Sequence, residues 1–144
     1  MRVKVAFWIG VAFLLMMAPG SVGAQPLTRA DREAIRTVVE QQLDAFRHDN
    51  AEAAFSFASR SIQEKFGTPE GFMTMVKTAY APVYRPRRIV FQEVRVIKGV
   101  LVQPVLLVGP DNVPVTALYP MHQRRDGVWK IDGCYLQPFE SKSM

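Results

Sequence analysis

Apolar residues recur every three or four positions between residues 29 and 48, the spacing that places them along one side of an α-helix. The stripe consists of Ile35, Val38, Val39, Leu43 and Phe46. Charged and amide side chains occupy the positions between them, and Thr28 precedes the stripe as a candidate N-cap. The pattern therefore predicts a long N-terminal helix over about residues 29–48.

Shorter patterns after this helix predict two or three further helices, over residues 51–58, 59–66 and 68–80. Asn50 is a candidate cap for the first of them, and Gly67 is a candidate stop for the second. Thr68 followed by Pro69 opens the third, because proline fits the first position of a helix. The next segment, 81–86, carries two prolines and is predicted to be extended.

The second half of the chain contains four β-rich runs, over residues 88–97, 100–108, 113–123 and 128–136. Short sequences of turn-forming residues separate them, so they predict consecutive hairpins in an antiparallel meander. Pro104, Pro114 and Pro120 cannot donate ladder hydrogen bonds and are expected at edges, ends or bulges, which curve the sheet. Helices followed by such a sheet predict an α+β fold in which the helices cover one sheet face.

The second run has apolar residues on both faces of its predicted strand. Helices are able to cover only one of these faces, so a second covering surface is required. This pattern predicts a homodimer formed through the sheet face.

The first 24 residues have the pattern of a cleavable signal peptide. Arg2 and Lys4 precede an apolar run over residues 5–18, and Val22 and Ala24 occupy the positions that signal peptidase reads. The run is shorter than the ~20 residues of a membrane-spanning helix, which disfavours the alternative of an uncleaved anchor. We therefore expect one domain over residues 25–144, exported to the periplasm or secreted, with no membrane span after cleavage.

Charge and cysteine content narrow the function classes. Removing Arg2 and Lys4 leaves 16 basic and 13 acidic residues, too mild an excess to indicate nucleic-acid binding. Cys134 is the only cysteine, so no internal disulfide is possible in an oxidising compartment. His48 and His122 are far apart without ligand spacing, so no metal site is predicted, and no motif indicates a cofactor.

Six segments of the chain together resemble a known bacterial family. They cover residues 35–46, 49–55, 66–69, 82–88, 103–105 and 129–134. The family is an uncharacterised domain of unknown function, numbered 4864, within the cone-shaped superfamily of nuclear transport factor two, ketosteroid isomerase and SnoaL-like proteins. The resemblance implies a long helix, short helices and a curved antiparallel sheet. Enzymes similar in shape use a carboxylate base or a His-Asp pair, but no such motif matches residue by residue, so no catalytic role is carried over.

Three polar residues near the end of the chain are candidate catalytic groups. Asp132 lies within an apolar run, where a nonpolar surrounding would allow it to act as a base, although a solvent-facing or structural aspartate is the simpler interpretation. Tyr119 and His122 lie one hairpin away, but strand alternation allows only one of them to share a face with Asp132. Strict alternation also places Trp129 and Ile131 on one face and Asp132 and Cys134 on the other.

Aromatic side chains of the helical half, together with one tryptophan of the sheet, are candidate ligand contacts. They are Phe46, Phe55, Phe72, Tyr80 and Trp129. Their spacing fits ordinary core packing first and a ligand cavity second. Arg85, Arg87 and Arg88 form the densest basic cluster, which is either a solvated surface or a site for an anion.

These observations favour an exported, non-catalytic module that binds a small amphipathic ligand or an envelope partner. A small lyase, isomerase or hydrolase that uses Asp132 is the first alternative. A structural homodimer without a ligand is the second. Cys134 is expected to be a small buried hydrophobe, with a nucleophile or an intermolecular disulfide as the other possibilities.

Overall fold

The computed structural model describes residues 26–141, in which the helices precede the strands along the chain. The helices are α1 (Arg29–Arg47), α2 (Ala51–Ser56), α3 (Arg60–Phe66), α4 (Pro69–Ala79) and α5 (Ala81–Tyr84). The strands are β1 (Arg88–Phe91), β2 (Arg95–Ile97), β3 (Val100–Val108), β4 (Pro114–Gln123), β5 (Trp129–Ile131) and β6 (Tyr135–Pro138). The sheet is antiparallel and curls into a half-barrel, which confirms the predicted cone-like α+β fold. The predicted signal peptide lies outside the described residues.

The predicted helix caps are present. The Thr28 hydroxyl accepts a hydrogen bond from the backbone N–H of Asp31 at 3.0 Å, and the Asp31 carboxylate accepts one from Thr28 at 3.1 Å. The Asn50 side chain accepts from the N–H of Ala53 at 3.1 Å. Gly67 ends α3 with a φ of 78°, a conformation that favours glycine. These local contacts explain why the first half of the chain follows its predicted helix boundaries closely.

The segment predicted to be extended, 81–86, instead begins with the short helix α5. Pro82 lies in the first turn of this helix, where its fixed φ fits and its missing N–H would have no helical partner. Arg85, directly before Pro86, leaves the helical conformation, with a φ of −139° and a ψ of 70°. The prediction was therefore wrong for residues 81–84.

The four predicted β-runs form four rows, but each outer row is broken into two strands. Strands β3 and β4 pair at the centre, β1 and β2 both pair with β3, and β5 and β6 both pair with β4. In the row of β1 and β2, residues 92–94 oppose only residues 103–104. In the row of β5 and β6, residues 132–134 oppose only residues 119–120. Each outer row thus carries one extra residue, which is a β-bulge.

Both bulges lie opposite a proline of an inner strand. Pro104 and Pro120 lie within β3 and β4, whereas Pro114 begins β4. A proline cannot donate to its neighbouring row, so an extra residue there lets the row resume its pairing after the gap. The Pro104 carbonyl still accepts from Gln92 N–H at 3.1 Å, and the Pro120 carbonyl accepts from Asp132 N–H at 2.8 Å.

The bulge between β5 and β6 reverses which side chains face the helices. Trp129 and Ile131 are buried against the core before the bulge, and Cys134 and Leu136 pack against the same core after it. The prediction that Ile131 and Cys134 lie on opposite faces was therefore wrong, because strict alternation does not hold across a bulge.

The two faces of β3 have different surroundings. Val105 and Leu107 face the helices and are fully buried in the core. On the other face, Val102 and Pro104 are buried within the single chain, whereas Val100 is exposed. The curl of the sheet thus covers part of the second apolar face, and the homodimer stays a prediction. No helix within residues 26–141 is both long and apolar enough to cross a membrane.

Candidate functional site

A cavity of about 160 Å³ lies between the helices and the bulge that separates β5 from β6. Its helical wall is apolar and includes Phe46, Phe72 and Val76. Its sheet wall contains Tyr119 and Cys134. Buried side chains form the inner end, whereas exposed side chains form the opening to solvent. Larger depressions elsewhere are open surface grooves, such as the one that runs along the polar side of α1.

Three of the five predicted ligand contacts line this cavity: Phe46, Phe72 and Tyr80. Phe55 does not line it but packs on Phe72, with the ring centroids 5.6 Å apart. Trp129 is buried elsewhere, beside the start of α1, where its indole helps the cap residue Thr28 to lower the pKa of Asp31.

Together with Gln42, Tyr119 is one of two buried polar side chains in the wall of the cavity. Its side chain is 1% exposed, and its hydroxyl is the one buried side-chain polar atom of residues 26–141 without a hydrogen-bond partner. Burial raises its pKa well above the ordinary tyrosine value, and the neighbouring Cys134 thiol raises it further. The thiol is thus close enough to act on the hydroxyl, but it does not meet the geometry of a hydrogen bond. Tyr119 thus contributes to the wall of the cavity a neutral side chain whose O–H has no hydrogen-bond partner.

Cys134 is a protonated thiol at neutral pH. Burial raises its pKa to about 12, and the nearby Tyr119 hydroxyl offsets only part of this effect. Because the thiolate is the reactive species, this environment disfavours a nucleophilic cysteine. The side chain packs against the hydrophobic core, as a small apolar residue would.

Asp132 lies at the opening of the cavity and is exposed. Its carboxylate accepts a hydrogen bond of 2.6 Å from the Ser59 hydroxyl, and its backbone N–H donates to Pro120. Ser59 also accepts a hydrogen bond from the N–H of Ile62 and thereby caps α3. The exposed side chains of Lys65 and Tyr135 complete the opening.

His122 does not belong to this site. It is exposed near the end of β4, in register with Lys130, and does not line the cavity. The structure thus brings Asp132 and Tyr119 to one cavity and leaves His122 outside it. A His-Asp pair is absent from this cavity.

Two residues of the site were missed by the sequence reasoning. Gln42 is buried and lines the cavity, with its amide nitrogen donating to the carbonyl of Ala54 at 3.0 Å. Its position, seven residues after Ile35, places it on the apolar side of α1, which is a usable signal. Ser59 is the first residue of the helix predicted over 59–66, and a serine at a helix start is a usual N-cap, so this signal was also available.

The basic residues do not form one anion site. Arg85 donates to the Phe46 carbonyl at 2.6 Å and to the Asp49 carboxylate at 2.9 Å. Arg87 donates to the Asn112 side chain at 3.0 Å. These contacts occupy the guanidinium groups with the chain's own acceptors. Within the described residues, no group of three or more His, Cys, Asp or Glu side chains is placed to hold a metal ion.

A family model matches residues 28–144, a range that includes all of the described residues except the first two. Its description is a domain of unknown function, DUF4864. The chain belongs to this family. The match thus covers the helices, the sheet and the cavity between them. No curated protein matches the chain.

Proposed function

We propose that this DUF4864 domain is a non-catalytic module that binds a small amphipathic ligand in the cavity between its helices and its sheet. The observation that carries the proposal is a mainly apolar cavity whose wall includes Tyr119, a buried residue with an unpaired hydroxyl. Ligand sites typically combine apolar walls with a few polar groups that orient the ligand. An envelope partner, the other candidate of this class, has no comparably defined site.

The cavity volume limits the ligand. A cavity of roughly 150 Å³ holds one benzene molecule, so about 160 Å³ suits a ligand of similar size. A millimolar dissociation constant corresponds to a binding free energy of about 4 kcal/mol. For a ligand of about seven non-hydrogen atoms, this is ~0.6 kcal/mol per atom. This value lies within the limit of ~1.5 kcal/mol per atom for very small ligands. Binding detectable at millimolar concentration is therefore physically reasonable.

Titration with toluene, followed by NMR of the methyl groups, tests the proposal. We expect saturable shifts of Met75 and Val76, which line the cavity, and none at exposed Val96. Val76→Phe should fill the cavity and abolish the shifts, whereas Val90→Phe on the exposed sheet face should preserve them. If neither toluene nor a ring ketone of similar size, such as cyclopentanone, causes a saturable shift at the cavity, the proposal is refuted.

A proton-transfer enzyme is the second candidate, because Asp132 and Tyr119 line the same cavity. A lyase, isomerase or hydrolase needs a base and a donor that reach one ligand together. Exchange of the acidic C–H protons of cyclopentanone for deuterium tests this function. Asp132→Asn should abolish exchange if the carboxylate is the base, and it should leave toluene binding intact under either function.

We further propose that the domain is exported after cleavage near Ala24 and that it belongs to the cone-shaped superfamily named above. The charged, apolar and small-residue pattern of residues 1–24 supports export. The order of long helix, short helices and curled sheet supports the superfamily. The intact mass of the protein from the exported fraction of its host should match a chain that begins at Gln25. A mass that includes residues 1–24 would contradict cleavage.

A homodimer through the outer sheet face is the remaining proposal. Val90 and Val100 are exposed on this face, beside buried Val102 and Pro104. Sedimentation equilibrium at micromolar concentration should give a dimer, and Val100→Glu should give a monomer. A wild-type monomer under these conditions would contradict the proposal, and a dimer with an unoccupied cavity would favour a purely structural role.

A further inference from the structure

We propose that the ligand presents an uncharged hydrogen-bond acceptor, such as a ketone or ether oxygen, to the hydroxyl of Tyr119. This inference rests on the proposed binding function and specifies the chemistry of the ligand. The ligand class is thus a compact apolar molecule with one neutral oxygen, rather than a hydrocarbon or a carboxylate.

The need for an acceptor follows from the state of Tyr119. Its side chain is 1% exposed, and its hydroxyl has no hydrogen-bond partner among the described residues. Buried hydroxyls are nearly always paired, because leaving one unpaired after removal from water is unfavourable. Tyr119 lies in the sheet wall of the cavity, so a bound molecule that reaches its hydroxyl would supply the missing partner.

The hydroxyl acts as the donor in this pairing. Burial raises the pKa of both Tyr119 and Cys134, so both groups carry their protons at neutral pH. The inner end of the cavity therefore offers an O–H and, beside it, a weaker S–H donor. An acceptor atom of the ligand is the complementary group.

The same end of the cavity disfavours a negative charge. Among the described residues that line it, Lys65 is the only basic one, and Lys65 is exposed at the opening. An anionic group placed beside Tyr119 would lose its hydration without gaining a buried cation. A neutral oxygen loses much less hydration, so the geometry selects an uncharged acceptor.

The rest of the wall selects the body of the ligand. Phe46, Phe72, Met75 and Val76 present rings, a thioether and methyl groups. Burial of a ring or a branched chain against such a surface is favourable, and the other buried polar side chain of the wall, Gln42, already donates to the Ala54 carbonyl. Five- or six-membered rings with a single oxygen substituent therefore match the cavity in size and in polarity.

Two probes of equal size test the inference: cyclopentanone and methylenecyclopentane, in which a CH₂ group replaces the oxygen. Their dissociation constants are measured by NMR for the wild type, Tyr119→Phe and the control Tyr135→Phe, whose hydroxyl lies at the exposed opening. Tyr119→Phe should weaken cyclopentanone binding about fivefold, the effect of one neutral hydrogen bond. Its binding of methylenecyclopentane should stay the same or tighten, and Tyr135→Phe should change neither probe.

The outcomes separate this inference from the proposed function. If Tyr119→Phe shifts both probes by the same factor, or neither of them, the acceptor hypothesis is overturned while the binding function stands. If cyclopentanecarboxylate binds the wild type as tightly as cyclopentanone, the preference for an uncharged group is overturned. If none of the probes nor toluene binds the wild type, the proposed function itself fails. Tyr119→Phe removes only an unpaired hydroxyl, and its thermal melting verifies that the variant is folded.

Discussion

The hydroxyl of Ser59 donates a 2.6 Å hydrogen bond to the carboxylate of Asp132, which lies 73 residues later in the chain. The backbone N–H of Ser59 also donates to the Ile131 carbonyl at 2.7 Å, and the Ile131 N–H donates to Phe57 at 2.9 Å. The junction between α2 and α3 thus forms an isolated parallel β-bridge with the end of β5. This contact fixes the helices to the bulge at the opening of the cavity.

Replacement of Ser59 should destabilise the protein more than replacement of Asp132. Ser59→Ala removes both the cap of α3 and the donor to Asp132, so we expect a loss of about 2 kcal/mol in the free energy of unfolding. Asp132→Asn retains an acceptor oxygen and should cost about 0.5 kcal/mol. Urea denaturation measures both, with Ser56→Ala on exposed α2 as the matched control. Equal losses at Ser56 and Ser59 would contradict the structural role of the Ser59 contact.

The same enlargement at two buried valines should have opposite effects. Val76 lines the cavity, so Val76→Leu places its added carbon in open space and should stabilise the protein by up to about 0.8 kcal/mol. Val105 is fully buried and does not line the cavity, so Val105→Leu should cost about 1 to 3 kcal/mol through overpacking. Thermal and urea denaturation compare the two variants. A destabilised Val76→Leu would indicate that the cavity is not open space in solution.

The helical half was largely predictable because its signals are local. Thr28, Asn50 and Gly67 act within a few residues of themselves, and the stripe of α1 needs only its own periodicity. The short helix α5 was missed because Pro82 was interpreted as a helix breaker, although proline is tolerated in a first turn. In the sheet, the number of rows was also predictable from turn sequences.

The candidate site was only partly predictable, because it depends on a bulge. Period-two alternation placed Cys134 away from Ile131, and one extra residue reverses this relationship. Gly133, with a φ of 153°, lies within the predicted strand, and a glycine there is a signal for a bulge. Its position opposite residues 119–120 depends on strand register, which no local pattern of residues 129–134 specifies. For this reason Asp132 and Tyr119 were named as candidates without the cavity that they share.

Arg85 should contribute to stability in a way that a lysine does not replace. Its guanidinium donates to the Phe46 carbonyl near the end of α1 and to Asp49, and it stacks 3.9 Å from the Tyr84 ring centroid. Arg85→Lys should lose the planar stacking and one of the two contacts, at a cost of about 1 to 2 kcal/mol. Arg87→Lys, whose arginine contacts only the exposed Asn112 side chain, is the matched control and should cost less than about 0.5 kcal/mol.

The acid dependence of this cluster provides a second measurement. The Tyr84 hydroxyl, followed by the charge of Arg85, holds the pKa of Asp49 below its usual value. The unfolded chain therefore binds this proton more readily than the folded one. The carboxylate of Asp49 should stabilise the folded protein above pH ~4, the ordinary pKa of an aspartate. This stabilisation should be lost as the pH falls below that pKa. Asp49→Asn should flatten this part of the pH profile, and an unchanged profile would contradict the role of the carboxylate.

The thiol of Cys134, a partly buried residue, should make the protein less stable in alkali. Its pKa is about 12 in the folded state, against roughly 8.5 for an exposed thiol, so the unfolded chain releases this proton first. The thiol makes its full contribution to the free energy of unfolding below pH ~8.5. This contribution should fall by about 1.4 kcal/mol per pH unit from there towards pH 12. Tyr119, whose pKa is also raised by burial, adds to the loss only above the ordinary tyrosine value, so pH 8.5–10 isolates the thiol.

Urea denaturation between pH 7 and pH 10, with a reductant present, compares the wild type with Cys134→Ala. At pH 7 the variant should be less stable, because it loses packed volume beside the core. The gap should then narrow as the pH rises above about 8.5, because only the wild type loses the thiol contribution. Iodoacetamide provides an independent control: it should modify Cys134 rapidly in urea and very slowly in the folded protein, since the raised pKa keeps the folded thiol almost entirely protonated. Parallel stability curves, or rapid modification of the folded protein, would show that the thiol is exposed to solvent and that the inner end of the cavity is not closed around it.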